Sequence, residues 1–301
     1  MDGRLEEIEG WPDGSSPQDR FLQGGPSARS LLLTILGEYV LPRGQAVWTA
    51  TLLEALSLLG VEDKAGRQAL ARAAKGGWLS AERIGRAARW TLTDRARSVL
   101  SDGAERIYGF DPTRAGWNGK WLLLMVSVPE ERRADRHVLR TRLAWSGFGS
   151  LGQGVWISPD TSRQAEVGAL LGGVEPPTRA VTFVAELGVL GDAATLVRQA
   201  WDLGALDERY AVFVAAFEGA PGRPVEGHAA EAFATKTRIV HEWRKFPFID
   251  PGLPTEFLPS GWSGGKARAL FRRLHSQLAP AADAWFDGSR RQVEARRQPV
   301  L

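Results

Sequence analysis

Between Lys64 and Arg97 the sequence places nine basic side chains, Lys64, Arg67, Arg72, Lys75, Arg83, Arg86, Arg89, Arg95 and Arg97, against two acidic ones, Glu82 and Asp94. The whole chain of 301 residues carries 38 Lys and Arg against 35 Asp and Glu. A nearly neutral protein therefore concentrates its positive charge in one stretch. Cations gathered without counter-ions suit the phosphates of a nucleic acid. The same side chains donate to guanine edges, and Gln suits adenine. At the helical spacing of about 100° per residue, Lys64, Gln68, Arg72 and Lys75 fall within about 80° of one another. Leu70, Ala73 and Ala74 lie opposite, Arg67 flanks the polar face, and the ridge holds no acidic residue. Arg83, Arg86 and Arg89 cluster around Gly85, a turn residue that can carry them to a phosphate backbone or a minor groove. Double-stranded DNA is the expected partner.

Other chemistries are poorly served. The chain has no cysteine, which excludes disulfides and thiolate catalysis. Its four histidines, His137, His228, His241 and His275, have no metal-ligand spacing, so neither a metal nor a cofactor is expected. Gly147, Gly149 and Gly152 fit a dinucleotide fingerprint, but they follow a helical pattern and open a hairpin, the reverse of what that fingerprint needs. Gly261-Trp262-Ser263-Gly264-Gly265 fits a nucleophile elbow, yet the preceding segment is broken by proline and His275 precedes Asp283. Gly265-Lys266 echoes a phosphate loop with the glycine spacing one short and Ala267 in place of Ser or Thr. No catalytic residue is assigned, and no enzyme is expected.

The elements that must carry the basic residues follow from periodicity and punctuation. Residues 1–26 read as a mobile leader rich in Gly, Pro, Ser and Asp. A first helix capped by Ser27 or Ser30, a second from Thr49 or Thr51 to Gly60 and a third over 64–76 precede two short strands, "WLSAERI" and "RWTLT". Three helices and a two-stranded wing within 27–107 form the winged helix-turn-helix pattern. A linker follows at 108–119. The order β-α-β-β-α-β over 120–191 predicts a ferredoxin-like domain, 192–287 a helical domain, and 288–301 a frayed basic tail. The fold class is α+β. No run of about 18 apolar residues predicts a membrane span. The acidic opening "MDGRLEEIEGWPDG" lacks an apolar signal core, so a cytoplasmic location is expected.

Several segments resemble a known family. "RSLLLTILGEYV", "RQALARAAKGGWL", "WNGKWLLLMVSVPE", "LRTRLAWSGFGSLGQGVWISP", "QAWDLGALDERYAVF" and "HEWRKFPFIDPGLPTEFLPSGWSG" look like the PaaX-type transcriptional regulators, repressors of phenylacetic-acid and related aromatic catabolism. The likeness runs from about Ser27 to Phe286. It implies a winged helix, a ferredoxin-like domain akin to a small CRISPR-adaptation nuclease, and a helical C-terminal domain. It also implies a homodimeric repressor released from its operator by an acyl-CoA thioester, typically phenylacetyl-CoA; the two-fold symmetry of winged-helix repressors predicts that the operator is palindromic. The nuclease relatives of the central domain carry a metal-binding acid at the end of the first strand. Here that strand ends "MVSVPE", with Ser127 and Val128 at the position, which argues against the alternative reading of a metal-dependent nuclease. A constitutive DNA binder without effector would leave about 190 residues beyond the winged helix unexplained.

An acyl-CoA needs cations for its phosphates and an apolar slot for its acyl group. DNA contacts are expected from Lys64, Arg67, Gln68, Arg72, Lys75, Arg83, Arg86 and Arg89. Effector contacts are expected from Arg136 and Arg140 on the basic helix 131–145, from Trp121 and Trp145, and from His241, Trp243 and Arg244.

Overall fold

The computed structural model describes residues 27–111, 117–171, 179–221 and 227–296, apart from the side chains of Trp145 and Ala169. The leader 1–26, the middle of the expected linker and the last five residues lie outside them. The chain forms two compact units. One takes Asp111–Val212 and Lys245–Arg268; the other takes Gly24–Phe110, Phe213–Arg244 and Ala269–Leu301. The segment after 191, read from the sequence as one helical domain, contributes to both. Antiparallel sheets and helices are mixed throughout.

Helix α1 (Ala28–Ile35) starts where the Ser27 hydroxyl accepts from the Ser30 N–H at 3.2 Å, and it runs into a π-helical turn, Leu36–Val40. A short strand β1 (Val47–Trp48) leads to α2 (Thr49–Ser57) and then α3 (Asp63–Lys75). Gly66 of α3 lies so close to α2 that a Cβ there would meet Leu53 Cδ2 at 2.7 Å. Strands β2 (Leu79–Ile84) and β3 (Ala87–Leu92) pair antiparallel, and β1 adds to β3, giving the order β1-β3-β2. Only the hairpin was expected; β1 was too short to read. Gly85, at φ +60, forms with Arg86 the two-residue hairpin turn. An unexpected helix, α4 (Asp94–Gly109), follows, with the Thr93 hydroxyl accepting from the Ala96 N–H at 3.2 Å. It replaces the start of the expected linker.

In the other unit, β4 (Lys120–Ser127), α5 (Arg133–Trp145), β5 (Gly149–Gly152), β6 (Val155–Ser158), α6 (Gln164–Leu171) and β7 (Arg179–Glu186) come in chain order, and the sheet order is β5-β6-β4-β7, antiparallel throughout. Even-numbered residues of β4, Leu122 and Leu124, pack with Leu139 and Leu143 of α5 and Val167 and Leu170 of α6. The odd-numbered Trp121 points into a second cluster with Val197 of α7 (Ala193–Ala200), Leu203 of α8 (Leu203–Phe217) and Leu253.

Three further helices complete the chain: α9 (Ala229–Trp243), the short α10 (Phe246–Ile249) and α11 (Gly264–Ala295). Helix α11 does not fray near 288. Its buried stripe, Ala282, Phe286, Ser289 and Val293, keeps helical spacing, and the Ser289 hydroxyl donates to Glu54 of α2 at 2.6 Å. Phe233 and Ala234 of α9 and Ala282 and Phe286 of α11 enter the same core as Leu32, Leu36, Leu52, Leu56 and Leu70.

Candidate nucleic-acid interface

Helix α3 buries Gly66, Ala69, Leu70 and Ala73 and turns Lys64, Arg67, Gln68, Arg72 and Lys75 to solvent. Ala74, expected on the inner face, is half-buried, and Ala69 stands in its place. Lys64, Gln68, Arg72 and Lys75 thus share one exposed face. The helix begins one residue earlier than expected, so the ridge is not free of acid. Asp63 sits at its first position and binds Arg67 at 2.6 Å, four residues on. That pair is well exposed, and water weakens it.

The β2–β3 hairpin presents Arg83 and Arg86, both exposed, beside its Gly85 turn. Arg89 is different. It binds Glu82 across the hairpin at 2.7 Å and its guanidinium lies 5.8 Å from the centre of the Trp48 ring. Trp90 next to it donates to Thr49 Oγ1 at 2.8 Å, and Thr49 donates to the Ala88 carbonyl at 3.0 Å. Arg89 and Trp90 therefore brace the hairpin against β1 and α2, and the exposed tip belongs to Arg83 and Arg86.

The residues expected to hold an effector are not brought together within either unit. Trp121 is core, 2 % exposed, 4.9 Å from Trp117 and 6.0 Å from Phe257 by ring centres. Arg136 is half-buried and donates to the Val128 carbonyl at 3.1 Å, and Arg140 is exposed on the same helix. The Trp145 side chain lies outside the described residues. His241, Trp243 and Arg244 belong to the other unit and fasten α9 there. His241 Nδ1 lies 3.0 Å from Thr34 Oγ1 of α1. Trp243 stacks on Phe271 at 4.7 Å and donates to the Ile107 carbonyl at the end of α4. Arg244 donates to the Ser30 carbonyl at 3.3 Å; burial, partly opposed by Glu242, lowers its pKa to about 10. All three side chains are engaged in packing contacts within this unit. Their apolar surroundings come from a core that the sequence could not distinguish from a pocket wall.

The structure also assembles a polar group that no spacing in the sequence signalled. Glu38, in the π-helical turn after α1, is 6 % exposed in its side chain. Its Oε1 meets Lys236 Nζ of α9 at 2.7 Å and His275 Nε2 of α11 at 2.7 Å, and Tyr108 of α4 donates to its Oε2. Burial alone would raise the Glu38 carboxyl, but the His275 hydrogen bond and the Lys236 charge outweigh it and hold the pKa at about 2. Nearby, Arg43 reaches both oxygens of Asp287, at 2.8 and 3.0 Å, and Asp283 at 3.3 Å. The turn that ends α1 is thus tied by ions to α9 and α11, beside the shared apolar core. Among the described residues no group of three His, Asp or Glu side chains could hold a metal ion, and no helix is long and apolar enough to cross a membrane.

Residues 27–96 match the family described as PaaX-like protein, 114–197 the PaaX protein central Cas2-like domain, and 201–288 the PaaX-like protein C-terminal domain. The chain belongs to the PaaX family. It is 30% identical over 285 residues to the transcriptional repressor PaaX of Escherichia coli K12, covering 90% of this chain and 88% of that one. Among solved structures it resembles the uncharacterized protein Rv0674 of Mycobacterium tuberculosis, with 25% identity and a TM-score of 0.57 over 86% of this chain and 99% of that one. The PaaX matches cover the basic helix α3, the four-stranded sheet of β4–β7, and the helices from α8 to most of α11 in turn.

Proposed function

We propose that this PaaX-family chain is a DNA-binding transcriptional repressor, an interpretation carried by the exposed face of α3. Lys64, Gln68, Arg72 and Lys75 stand on it at helical spacing, and their side chains make no ion pair or hydrogen bond among the described residues. In this reading α2 and α3 form a helix-turn-helix and β2–β3 is its wing. Helix α3 lies in the major groove, where Gln68 and Arg72 read base edges and Lys64 and Lys75 hold phosphates. Arg83 and Arg86 at the hairpin tip reach the flanking backbone. The central sheet order, 4-1-3-2 when its strands are counted from β4, is that of a ferredoxin-like domain, which here senses and dimerises without cleaving. Two copies bind two half-sites of a palindrome. The protein works in the cytoplasm, and an acyl-CoA thioester such as phenylacetyl-CoA releases it from DNA.

Duplexes selected from a random pool by the purified protein test the first part. Arg72→Ala should weaken binding by roughly 1–3 kcal/mol and relax the preference at one position, whereas Arg86→Ala should weaken all sequences alike and flatten the salt dependence. An Arg72→Ala protein with an unchanged ranking of sequences would remove base readout from α3. Titration of the DNA complex with phenylacetyl-CoA tests the second part. Linkage requires that DNA weaken thioester binding by the same factor, roughly 5–150 for a coupling of about 1–3 kcal/mol.

A further inference from the structure

We infer that Ile84, at the tip of the β2–β3 hairpin, enters the DNA minor groove as an apolar wedge and makes the protein select an easily unstacked base step beside each half-site. This deepens the proposed function and rests on its reading of β2–β3 as a wing.

In the unit that carries α3, the large exposed apolar side chains among the described residues are Ile84, at 44%, and Tyr108, at 42%. Tyr108 has its contacts: it donates to Glu38 and stacks on Phe271. Ile84 takes no part in the shared core. It ends the β2–β3 ladder opposite Ala87, whose methyl group is too small to cover it. Leu79 and its partner Leu92 turn inward at the other end of the hairpin, and strand alternation turns Ile84 to the opposite face. An isoleucine held this way in water gains free energy only from what docks on it.

The shape and charge around Ile84 fit a DNA minor groove. Gly85 has no side chain, and nothing lies within 4 Å of where its Cβ would stand. Ala87 and Ala88 follow with methyl groups alone. The tip is therefore slim, and the large side chains that project from it are Arg83, Ile84 and Arg86, all exposed. A groove about 6 Å wide admits a slim tip and excludes a broad one. The nearest acid, Glu82, is held by Arg89 at 2.7 Å, which leaves the charge beside Ile84 for another anion. Arg83 and Arg86 suit the phosphates along the rims of the groove. The hairpin is also firmly based: its ladder runs without a bulge from Leu79 to Ile84, and Arg89 and Trp90 anchor it to Trp48 and Thr49. A firm apolar tip between cations is the device by which minor-groove proteins part a base step. Unstacking costs a few kcal/mol per step and is easiest at pyrimidine–purine steps such as TA and CA. Helix α3 then reads base edges in the major groove, while Ile84 reads deformability at a step where no hydrogen bond is made.

The test is selection of duplexes from a random pool by the full-length parent protein and by Ile84→Ala and Ile84→Leu. The parent should enrich a TA or CA step at a fixed distance outside the bases read by α3. Ile84→Ala should lose that enrichment, keep the ranking at the α3 positions and bind about tenfold more weakly. Its salt dependence should stay that of the parent, because no charge is removed; Arg86→Ala should flatten it. Ile84→Leu, which keeps the apolar volume, should retain both affinity and step preference. Unstacking is read directly by 2-aminopurine placed in the selected step, whose fluorescence should rise when the parent binds and stay low when Ile84→Ala binds. Ile84 is outside the core, so the far-ultraviolet circular dichroism of both variants should match the parent. A parent that binds no duplex overturns the DNA reading on which the wedge rests. A parent that selects duplexes, but whose step preference and fluorescence rise survive Ile84→Ala or never appear, overturns the wedge alone.

Discussion

Replacing Lys236 with methionine tests whether the buried ions around Glu38 hold α1 to α9 and α11. The substitution keeps the length and apolar stem of the side chain and removes the ammonium that lies 2.7 Å from Glu38 Oε1 and 3.8 Å from Asp283. Both partners of the first pair are almost wholly buried, at 3% and 6% side-chain exposure, so the carboxylate left behind cannot recover its solvation. Breaking a buried pair from one side costs about 3–5 kcal/mol. Glu38 keeps His275 and Tyr108, which places the expected loss near the lower figure. The titration of Glu38 gives an independent handle. Its pKa falls from 4.5 to about 2 on folding, which corresponds to about 3 kcal/mol of stabilisation. A depressed carboxyl contributes fully above its unfolded value, and that contribution is lost as the pH falls through the folded one. The gap between the parent protein and Lys236→Met should therefore be widest near neutral pH and should narrow between pH 4.5 and about 2. Urea unfolding at pH 7, 5 and 3 measures it. A cycle with Glu38→Gln should return a coupling on the order of 2 kcal/mol. A loss below about 1 kcal/mol at pH 7, or one that stays constant down to pH 3, would refute the argument.

Two further substitutions probe other parts of the fold. Gly66→Ala adds a Cβ that would meet Leu53 Cδ2 at 2.7 Å; it should destabilise by about 1–3 kcal/mol through overpacking and, by displacing α3, weaken DNA binding even though Gly66 touches no DNA. Normal DNA affinity in a destabilised Gly66→Ala protein would show that the α2–α3 spacing is not critical for docking. Asp250 accepts from Tyr210 at 2.6 Å and from the Gly252 N–H at 2.7 Å, yet burial outweighs both and raises its pKa from 3.8 to about 6. A carboxyl raised on folding favours the native state at low pH and loses that advantage as the pH rises through 6. Asp250→Asn should therefore gain stability relative to the parent between pH 4 and 7, by a few kcal/mol in order of magnitude, and parallel unfolding curves across that range would contradict the assignment.

The basic helix α3 was legible because its information is local. A 3.6-residue period with alanines on one side and Arg, Lys and Gln on the other specifies a helix and its exposed face together. The β-α-β-β-α-β order was legible for the same reason. Helix α4 was missed although Thr93-Asp94 is a good N-terminal signal, because Gly103 and the sparse apolar residues behind it weakened the pattern. Tyr108 was assigned to a linker in consequence, and it turned out to donate to Glu38. The Glu38 group itself was not legible at all. Its members stand at 38, 108, 236 and 275, and only the tertiary fold brings them together. His241, Trp243 and Arg244 were ambiguous in the opposite sense. Their types suit a ligand as well as a core, and only burial decides between the two.

The sharing of one core by α1–α3 and by α9 and α11 bears on how a repressor of this kind can be regulated. Phe233 and Phe286 lie 4.7 and 5.2 Å from the Tyr39 ring, and Tyr39 adjoins Glu38 in the same π-helical turn. Lys236 Nζ lies over that ring at 5.0 Å while it binds Glu38. The apolar and ionic ties thus meet at one turn at the end of α1, and α1 packs directly on α3. A tightly packed interior does not deform by degrees. A shift of α9 or α11 by a fraction of an ångström must either be absorbed at this turn or be passed through α1 to α3. The turn carries a π-helical insertion, a local irregularity often found where a helix has a functional role. The Glu38 ties make absorption at the turn costly, so movement of α9 or α11 should reach α3 with little loss. If the proposed acyl-CoA release operates, loosening those ties, as Lys236→Met does, should therefore weaken the response of DNA binding to phenylacetyl-CoA more than it weakens DNA binding itself.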